Sequence, residues 1–266
     1  MTNNLPNVAI IISSYNYGKY VINAIDSAMS QDYEGEIKTV VVDDGSLDDS
    51  WEKICNITNE KEATNLEEPY YNGPLEVRQK DHLYAYRINN SGASTARNVG
   101  IYQCLDWAHV FGILDADDEY CNNKVSTLVN KLVEHPAVGV AYGDYEIHRT
   151  INQTDYIKHE YKKPYDKGVL SRECIVHSGS LIKKEYLNVI KLPNGEFFDS
   201  RLHGPLSEGF IGCTEDYDLW LRLSETCIMT HVPKILSFVR ETGNNQSLKM
   251  NQEIFNHNMN LIHNRK

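Results

Sequence analysis

The 266-residue chain has no long apolar run: Val8 to Ile12 and Thr39 to Val42 are strand-sized, far short of the ~20 residues that cross a bilayer. No membrane-spanning segment is expected in it. The opening Met-Thr-Asn-Asn-Leu-Pro-Asn lacks the basic leader and apolar stretch of a secretion signal, so the expected compartment is the cytoplasm. Basic charge is scarce: 26 Lys and Arg face 37 Asp and Glu, and a net charge of −11 repels a phosphate backbone, which removes nucleic acid from the expected partners. The six cysteines, at 55, 104, 121, 174, 213 and 227, form no C-x-x-C and no regular spacing. That pattern argues against a zinc cluster or a disulfide framework and for buried free thiols. No G-x-G-x-x-G follows the first apolar run, and neither G-x-x-x-x-G-K-[ST] nor G-x-S-x-G occurs. A dinucleotide oxidoreductase, a P-loop NTPase and an α/β-hydrolase lose support accordingly. There is no internal repeat or low-complexity tract, and the ordinary apolar content predicts one compact soluble unit.

What is present alternates. Val8 to Ser13 is a β-rich run, and Tyr17, Tyr20, Val21, Ala24, Ile25, Ala28 and Met29 then recur at the spacing of one buried helix face. Lys38 to Val42 repeats the strand signal and breaks at Asp43-Asp44-Gly45-Ser46; Asp48 or Asp49 can then cap a helix through Trp51 and Ile54. Two successive βα units imply a parallel sheet with a right-handed crossover. Residues 60 to 82 break this rhythm, and with Pro69, Gly73 and Pro74 they read as an exposed inserted loop. The pattern resumes with a strand at Leu83 to Ile88, a helix from Ala93 to Trp107, a strand at Val110 to Leu114, and a helix stopped at His135-Pro136. Beyond it, Val138 to His148 and Tyr156 to Tyr161 predict a β-ribbon, followed by a loop-rich stretch to Gly212. Thr214 can cap a helix carrying Leu219, Trp220 and Leu223, and the Asn-rich tail from Leu248 to His263 has a helical period.

In parallel α/β sheets, ligands bind beyond the carboxyl ends of the strands. Ser13-Ser14-Tyr15-Asn16, Asp43 to Ser46 and Asp115-Ala116-Asp117-Asp118 all fall at such ends and should converge on one crevice. Each alone is ordinary turn and capping chemistry. Asp115, Asp117, Asp118 and Glu119 crowd four acids into five residues, which repel one another unless a cation or solvent offsets them. Oxygen-only donors suit Mg²⁺ or Mn²⁺ completed by water and substrate phosphates; the other reading is a solvated acidic turn capping the Asn123 helix. At helical spacing Asp216 shares the inward face of Leu219, Trp220 and Leu223. It is either a first-turn acid favoured by the helix dipole or a half-buried carboxylate of raised proton affinity, suited to general-base work.

Val8 to Asn16, Val41 to Ser46, Asn90 to Gly100, Ile113 to Asp118 and Glu215 to Arg222 together resemble, in the right order, the successive signatures of the family 2 glycosyltransferases. The resemblance is dense from 8 to 145 and returns over 195 to 240. It implies an α/β GT-A fold: a Rossmann-like, mostly parallel nucleotide-binding sheet flanked by helices, with a mixed acceptor-binding C-terminal half. One domain over 1–266 is expected, with about 1–120 binding the nucleotide sugar and 121–266 the acceptor. The implied activity is transfer of a sugar, with inversion, from a nucleotide-sugar donor, UDP-linked by family frequency, to an acceptor hydroxyl on a glycan or lipid-linked saccharide. In the implied site, Ser13, Tyr15 and Asp43 hold base and ribose, and Arg97 approaches the nucleotide or its phosphates. Asp115 contacts ribose or metal, Ala116 lies in the donor-binding turn, Asp117 binds the divalent ion, and Asp216 removes the acceptor proton. A Q-x-x-R-W motif is absent, which favours single addition, and Glu241-Thr242-Gly243 stands where relatives often place a histidine. Such an enzyme would act in the cytoplasm or peripherally at the inner face of a membrane. A degenerate nucleotide- or glycan-binding member is the non-enzyme alternative. A nucleotidyltransferase is disfavoured because no basic Gly-rich phosphate loop is present.

Overall fold

The computed structural model describes residues 5–61, 63–151, 154–202, 214–242 and 252–265. The strand β1 (Val8–Ser14) is buried along its whole length, as expected of a strand covered on both faces. It is followed by α1 (Val21–Met29), β2 (Ile37–Asp43) and α2 (Ser50–Ile57). Two short strands, β3 (Asn59–Glu60) and β4 (Thr64–Glu68), come next with the ten-residue β5 (Tyr71–Lys80) that both pair with antiparallel, and then β6 (Leu83–Arg87), α3 (Ala93–Tyr102) and β7 (Val110–Asp115). The remaining elements are β8 (Glu119–Tyr120), α4 (Lys124–Glu134), β9 (Val138–Ile151), β10 (Thr154–Glu160), α5 (Lys167–Leu170), β11 (Leu181–Lys183), α6 (Lys184–Val189), α7 (Glu215–Leu223), β12 (Ile228–Glu241) and α8 (Gln252–His263).

One sheet runs in the order β3-β5-β6-β2-β1-β7-β11-β9-β12-β8. Its four central strands, β6-β2-β1-β7, are parallel, while β5 and β11 join them antiparallel on either side, so the expected α/β layer is present with mixed edges. Alternation along the strands divides the core. Ala9, Ile11, Val40 and Val42 point to α3, and Val8, Ile10, Ile12 and Val41 point to the face covered by Val21, Ile25, Trp51, Ile54, Val125 and Leu128. Each fully buried aliphatic side chain contributes roughly 1.5–3 kcal/mol relative to exposure, which holds the helices on the sheet. The α3 helix approaches closely because residue 100 is glycine: a Cβ there would lie 2.6 Å from Ile11 Cγ2. Among the described residues no helix is long and apolar enough to cross a membrane.

Several local expectations change. The segment expected as a loop over 60–82 is a β-ribbon: β5 pairs with β4 on one side and β6 on the other, burying Tyr71 and Leu75. Pro74 and Gly73 sit opposite the outer strand β4, where a missing N–H is tolerated. The helix expected to reach Trp107 ends at Tyr102, and the chain continues to Trp107 in turns. At α2 it is the Asp48 side chain that accepts the Ser50 N–H, at 2.9 Å, while Asp49 makes no capping bond. Thr214 precedes α7 without capping it, its hydroxyl instead accepting from Asn258 Nδ2 at 2.9 Å. The ribbon expected near 138–161 is present as β9 and β10, and the stretch after it contains α5, β11 and α6. Residues 203–213 and 248–251, within the expected loop and tail, lie outside the described residues. The expectation of buried thiols holds for Cys104 alone among the described cysteines: Cys55, Cys121 and Cys227 are half-buried and Cys174 is exposed, with Cys213 outside the described residues.

Candidate functional site

The carboxyl ends of β1, β2, β6 and β7 open onto one crevice, and its floor is built by hydrogen bonds between their loops. Asp44 N–H donates to Ser14 O at 2.8 Å and Asn16 N–H to Ser46 Oγ at 2.9 Å; Asn16 Oδ1 in turn accepts from Leu47 N–H at 2.7 Å. Asn16 takes a left-handed φ of 59°, a conformation asparagine tolerates. Gly45 has φ +70°, and an added Cβ would meet Asn90 N at 2.8 Å, so the β2 and β6 loops pack only around glycine. Both Asp44 oxygens accept backbone N–H groups, from Ser91 at 2.7 Å and Gly92 at 2.8 Å, fastening the turn that starts α3. Burial pushes the Asp44 carboxyl up to about 7 despite those bonds.

Asp43 is completely buried and uses one oxygen: Oδ2 accepts from Ser46 N–H at 3.1 Å and lies 3.4 Å from Arg87 Nε. Its Oδ1 has no partner. A buried carboxylate oxygen left unpaired is costly, and burial raises this group's proton affinity; a ligand N–H is the kind of group that would satisfy it. Ser13, at the end of β1, is buried, and Tyr15 is half-buried in the same loop. Ser14 Oγ is a second buried atom without a partner.

The acidic turn follows β7. Asp118 N–H closes it onto Asp115 O at 3.0 Å, and Ala116 is packed beneath. Asp117 and Asp118 are buried rather than solvated, and neither caps α4, so the reading of a solvated capping turn is set aside. Arg240, at the end of β12, fastens this turn: its backbone N–H donates to the Asp118 side chain at Oδ1, 2.9 Å, and its Nε to the Asp117 carbonyl at 3.2 Å, while its guanidinium pairs with Glu119. Burial and the neighbouring Asp115 push the Asp117 carboxyl up to about 7, and the Tyr17 hydroxyl, bonded to Asp117, is pushed above its usual range by burial and then by the Asp117 and Asp115 charges. A buried carboxylate of raised proton affinity beside the Asp115 charge would be relieved by added positive charge, and oxygen donors of this kind fit a Mg²⁺ or Mn²⁺ ion. Among the described residues no set of three or more such donors is assembled. Asp115 and Asp117 are the residues that would hold such an ion, with its other positions left to water and substrate oxygens.

Asp216, in the first turn of α7, reaches this centre through Arg97. The Arg97 guanidinium is buried and lies 2.7 Å from Asp115 Oδ1, 2.7 Å from Glu215 Oε1 and 3.4 Å from Asp216 Oδ1. Its two Nη atoms are thus taken by carboxylates, where an approach to nucleotide or phosphate was expected. Burial pushes the Asp216 carboxyl up to about 7, against the opposing pull of Arg97 and with help from the Glu215 and Asp115 charges. One cation facing three carboxylates makes a proton-accepting group here while keeping it within reach of neutral pH. The structure thus brings Asp115, Asp117, Arg97 and Asp216 together, and sets Ser13, Tyr15 and Asp43 along the neighbouring strand ends. Sequence reasoning missed Glu215, Asp44, Tyr17 and Arg240. Asp44 and Glu215 each adjoin a named acid, whereas nothing in the spacing joins Tyr17 or Arg240 to the acidic turn.

A model of the family described as Glycosyl transferase family 2 matches residues 9–190. An uncharacterized glycosyltransferase of Rickettsia felis is 29% identical over 260 residues, covering 93% of this chain and 37% of its own length. A chondroitin synthase of Escherichia coli is 26% identical over 252 residues, covering 92% of this chain and 30% of its own. The chain therefore spans about a third of the length of these two relatives. Among solved structures, S. aureus TarS 1–349 in complex with UDP-GlcNAc superposes with a TM-score of 0.66 at 17% identity, covering 96% of this chain and 65% of that one, a likeness of fold.

Proposed function

Given that the chain belongs to glycosyl transferase family 2, with the α/β fold of its GT-A members, we propose that it transfers one sugar, with inversion, from a UDP-sugar to an acceptor hydroxyl of a glycan or lipid-linked saccharide. The observation that carries this reading is the Asp115–Arg97–Asp216 bridge, which couples the acidic turn to a carboxylate on a separate element. Inversion needs exactly opposed faces at the anomeric carbon: the departing phosphate on one, the nucleophile and its base on the other. Asp43 Oδ1 accepts a ring N–H of the base, Tyr15 stacks on it and Ser13 contacts the ribose. Asp115 and Asp117 hold the divalent ion, which when bound supplies Lewis-acid stabilisation of the leaving diphosphate. Asp216 takes the proton from the acceptor oxygen as that oxygen bonds to the anomeric carbon and the nucleoside diphosphate leaves with the electron pair. Its proton affinity near neutral pH suits that exchange, since a general base works best with a pKa close to the working pH. The UDP-GlcNAc bound by TarS and the polysaccharide named in the chondroitin synthase support a UDP donor and a place in surface or secreted glycan assembly.

The test is thermal stability of the wild type and Asp117→Ala against UDP, GDP, dTDP and CMP, each with and without Mn²⁺. A ligand bound only by the folded state stabilises it by roughly 2.7 kcal/mol at a hundredfold excess over Kd. A Mn²⁺-dependent rise with UDP, lost in the variant, is expected; no rise with any nucleotide would sink the donor-site reading and favour a degenerate binding protein.

A further inference from the structure

In the described part of the Asn-rich tail, Asn258 and Arg265 reach the helix that carries Asp216. Asn258 of α8 is 4% exposed and donates to the hydroxyl of Thr214, the residue immediately before α7. Just past α8, the Arg265 guanidinium reaches Asp218 in the first turn of α7 and Asp199 in the segment after α6. Asp199 and Asp218 are both fully buried, and each holds a second arginine: Arg201 lies 2.7 Å from Asp199, and Arg222 lies 2.8 Å from Asp218. Arg222 also donates to the carbonyls of Ile190 at 2.8 Å and Phe197 at 2.5 Å, tying α7 to the same segment. Met259 of α8 packs half-buried against the core. The first turn of α7 is thus gripped from two sides, by Arg97 through Glu215 and Asp216 and by the tail through Thr214 and Asp218.

Charge decides what the grip can do. Although burial opposes it, donation from Arg201 together with the Arg265 charge holds the Asp199 carboxyl below its ordinary range, so Asp199 stays ionised where Asp216 takes up a proton. Removing Arg265 leaves Asp199 and Asp218 each with one arginine but cuts the charged link between them and the tail, and a reacting group misplaced by about 1 Å can lose ~100-fold in rate. We propose that α8 is a latch on the catalytic helix, with Arg265 and Asn258 as positioning residues that set the placement of Asp216. This rests on the reading of Asp216 as the base. The contacts of Arg265 and Asn258 go to Asp199, Asp218 and Thr214 and not to Asp43 or Asp115, so the latch acts on turnover rather than on nucleotide binding.

Arg265→Met, Arg265→Lys and Asn258→Ala are compared with the wild type and Asp216→Asn in the full chain. Hydrogen exchange is followed in the peptide covering α7, Mn²⁺-dependent binding of UDP by calorimetry, and UDP release from UDP-GlcNAc with water as acceptor. Expected are faster exchange in α7 with α3 unchanged, UDP affinity within twofold of wild type, and UDP release slowed about 10- to 100-fold in Arg265→Met, with Arg265→Lys in part restored. Asn258→Ala keeps every charge and serves if Arg265→Met does not fold; it should show the same pattern at smaller amplitude. Unchanged exchange in α7 overturns the latch, as does faster exchange with unchanged UDP release, or a parallel loss of UDP affinity that marks general unfolding. Asp216→Asn with wild-type UDP release overturns the base reading instead, and is told apart because the exchange result for the tail variants stands by itself.

Discussion

Replacing Arg97 by Met keeps most of the side-chain length and removes the one cation among Asp115, Glu215 and Asp216. The group is 5% exposed, so water cannot take its place without rearrangement. Breaking a buried ion cluster from one side costs about 3–5 kcal/mol. At about 2–4 °C per kcal/mol for a chain of this size, the melting temperature should fall by roughly 6–20 °C. The loss should also depend on pH. Asp216 already binds its proton up to about 7 in the folded state, above its ordinary 3.8, so its contribution to stability is full below the unfolded pKa and is lost as pH rises through about 7. Without Arg97 the folded pKa rises further, and the variant pays an extra penalty only where the wild-type group has ionised, above about 7. Thermal unfolding followed by circular dichroism at about pH 6 and about pH 8.5 should therefore show a larger deficit at the higher pH. An equal deficit at both would refute the electrostatic argument and assign the loss to packing of the guanidinium on the Phe198 ring, 5.3 Å away. A fall under about 2 °C would refute the claim that the cluster is shielded from water.

Two further outcomes test the donor side and the core. Asp43→Asn cannot present an acceptor both to the Ser46 N–H and to a ligand N–H, and loss of one charged hydrogen bond, about 1.5–3 kcal/mol, should weaken UDP roughly 10- to 150-fold by titration calorimetry. A change below about threefold would mean that Oδ1 faces no ligand. Gly100→Ala should lower the melting temperature by up to about 8 °C, because overpacking against the stiff Ile11 side chain, about 1–3 kcal/mol, exceeds the gain of about 1 kcal/mol in helix propensity. A melting temperature at or above wild type would show that Ile11 rotates away freely.

The order of the central layer could be read in the chain because its signals are local. A fully buried parallel strand needs an unbroken apolar run, and the loop that leaves it needs Asp, Ser and Gly, so β1, β2 and β7 and their polar ends were legible before any contact was known. The ribbon at β4 and β5 was not, because its stability comes from pairing with β6 rather than from its own composition, although the alternation of Leu75 and Val77 with Glu76 and Arg78 carried a weak trace of it. Helix ends fared worst: Thr214 has a capping hydroxyl, and the fold spends it on Asn258 forty-four residues away. The same division runs through the site. Chemistry that depends on residue type, the acids at 115, 117 and 216 and the orphan-prone Asp43, is written in sequence. Charge balance is not, because it depends on what folding places beside each acid. Arg97 reads as a helix cation in sequence; only the packing of α3 between the sheet and α7 desolvates it and sets it among three carboxylates. The tail is the extreme case, since Arg265 and Asp199 have no pattern in common and acquire a relation only when tertiary structure removes water from between them.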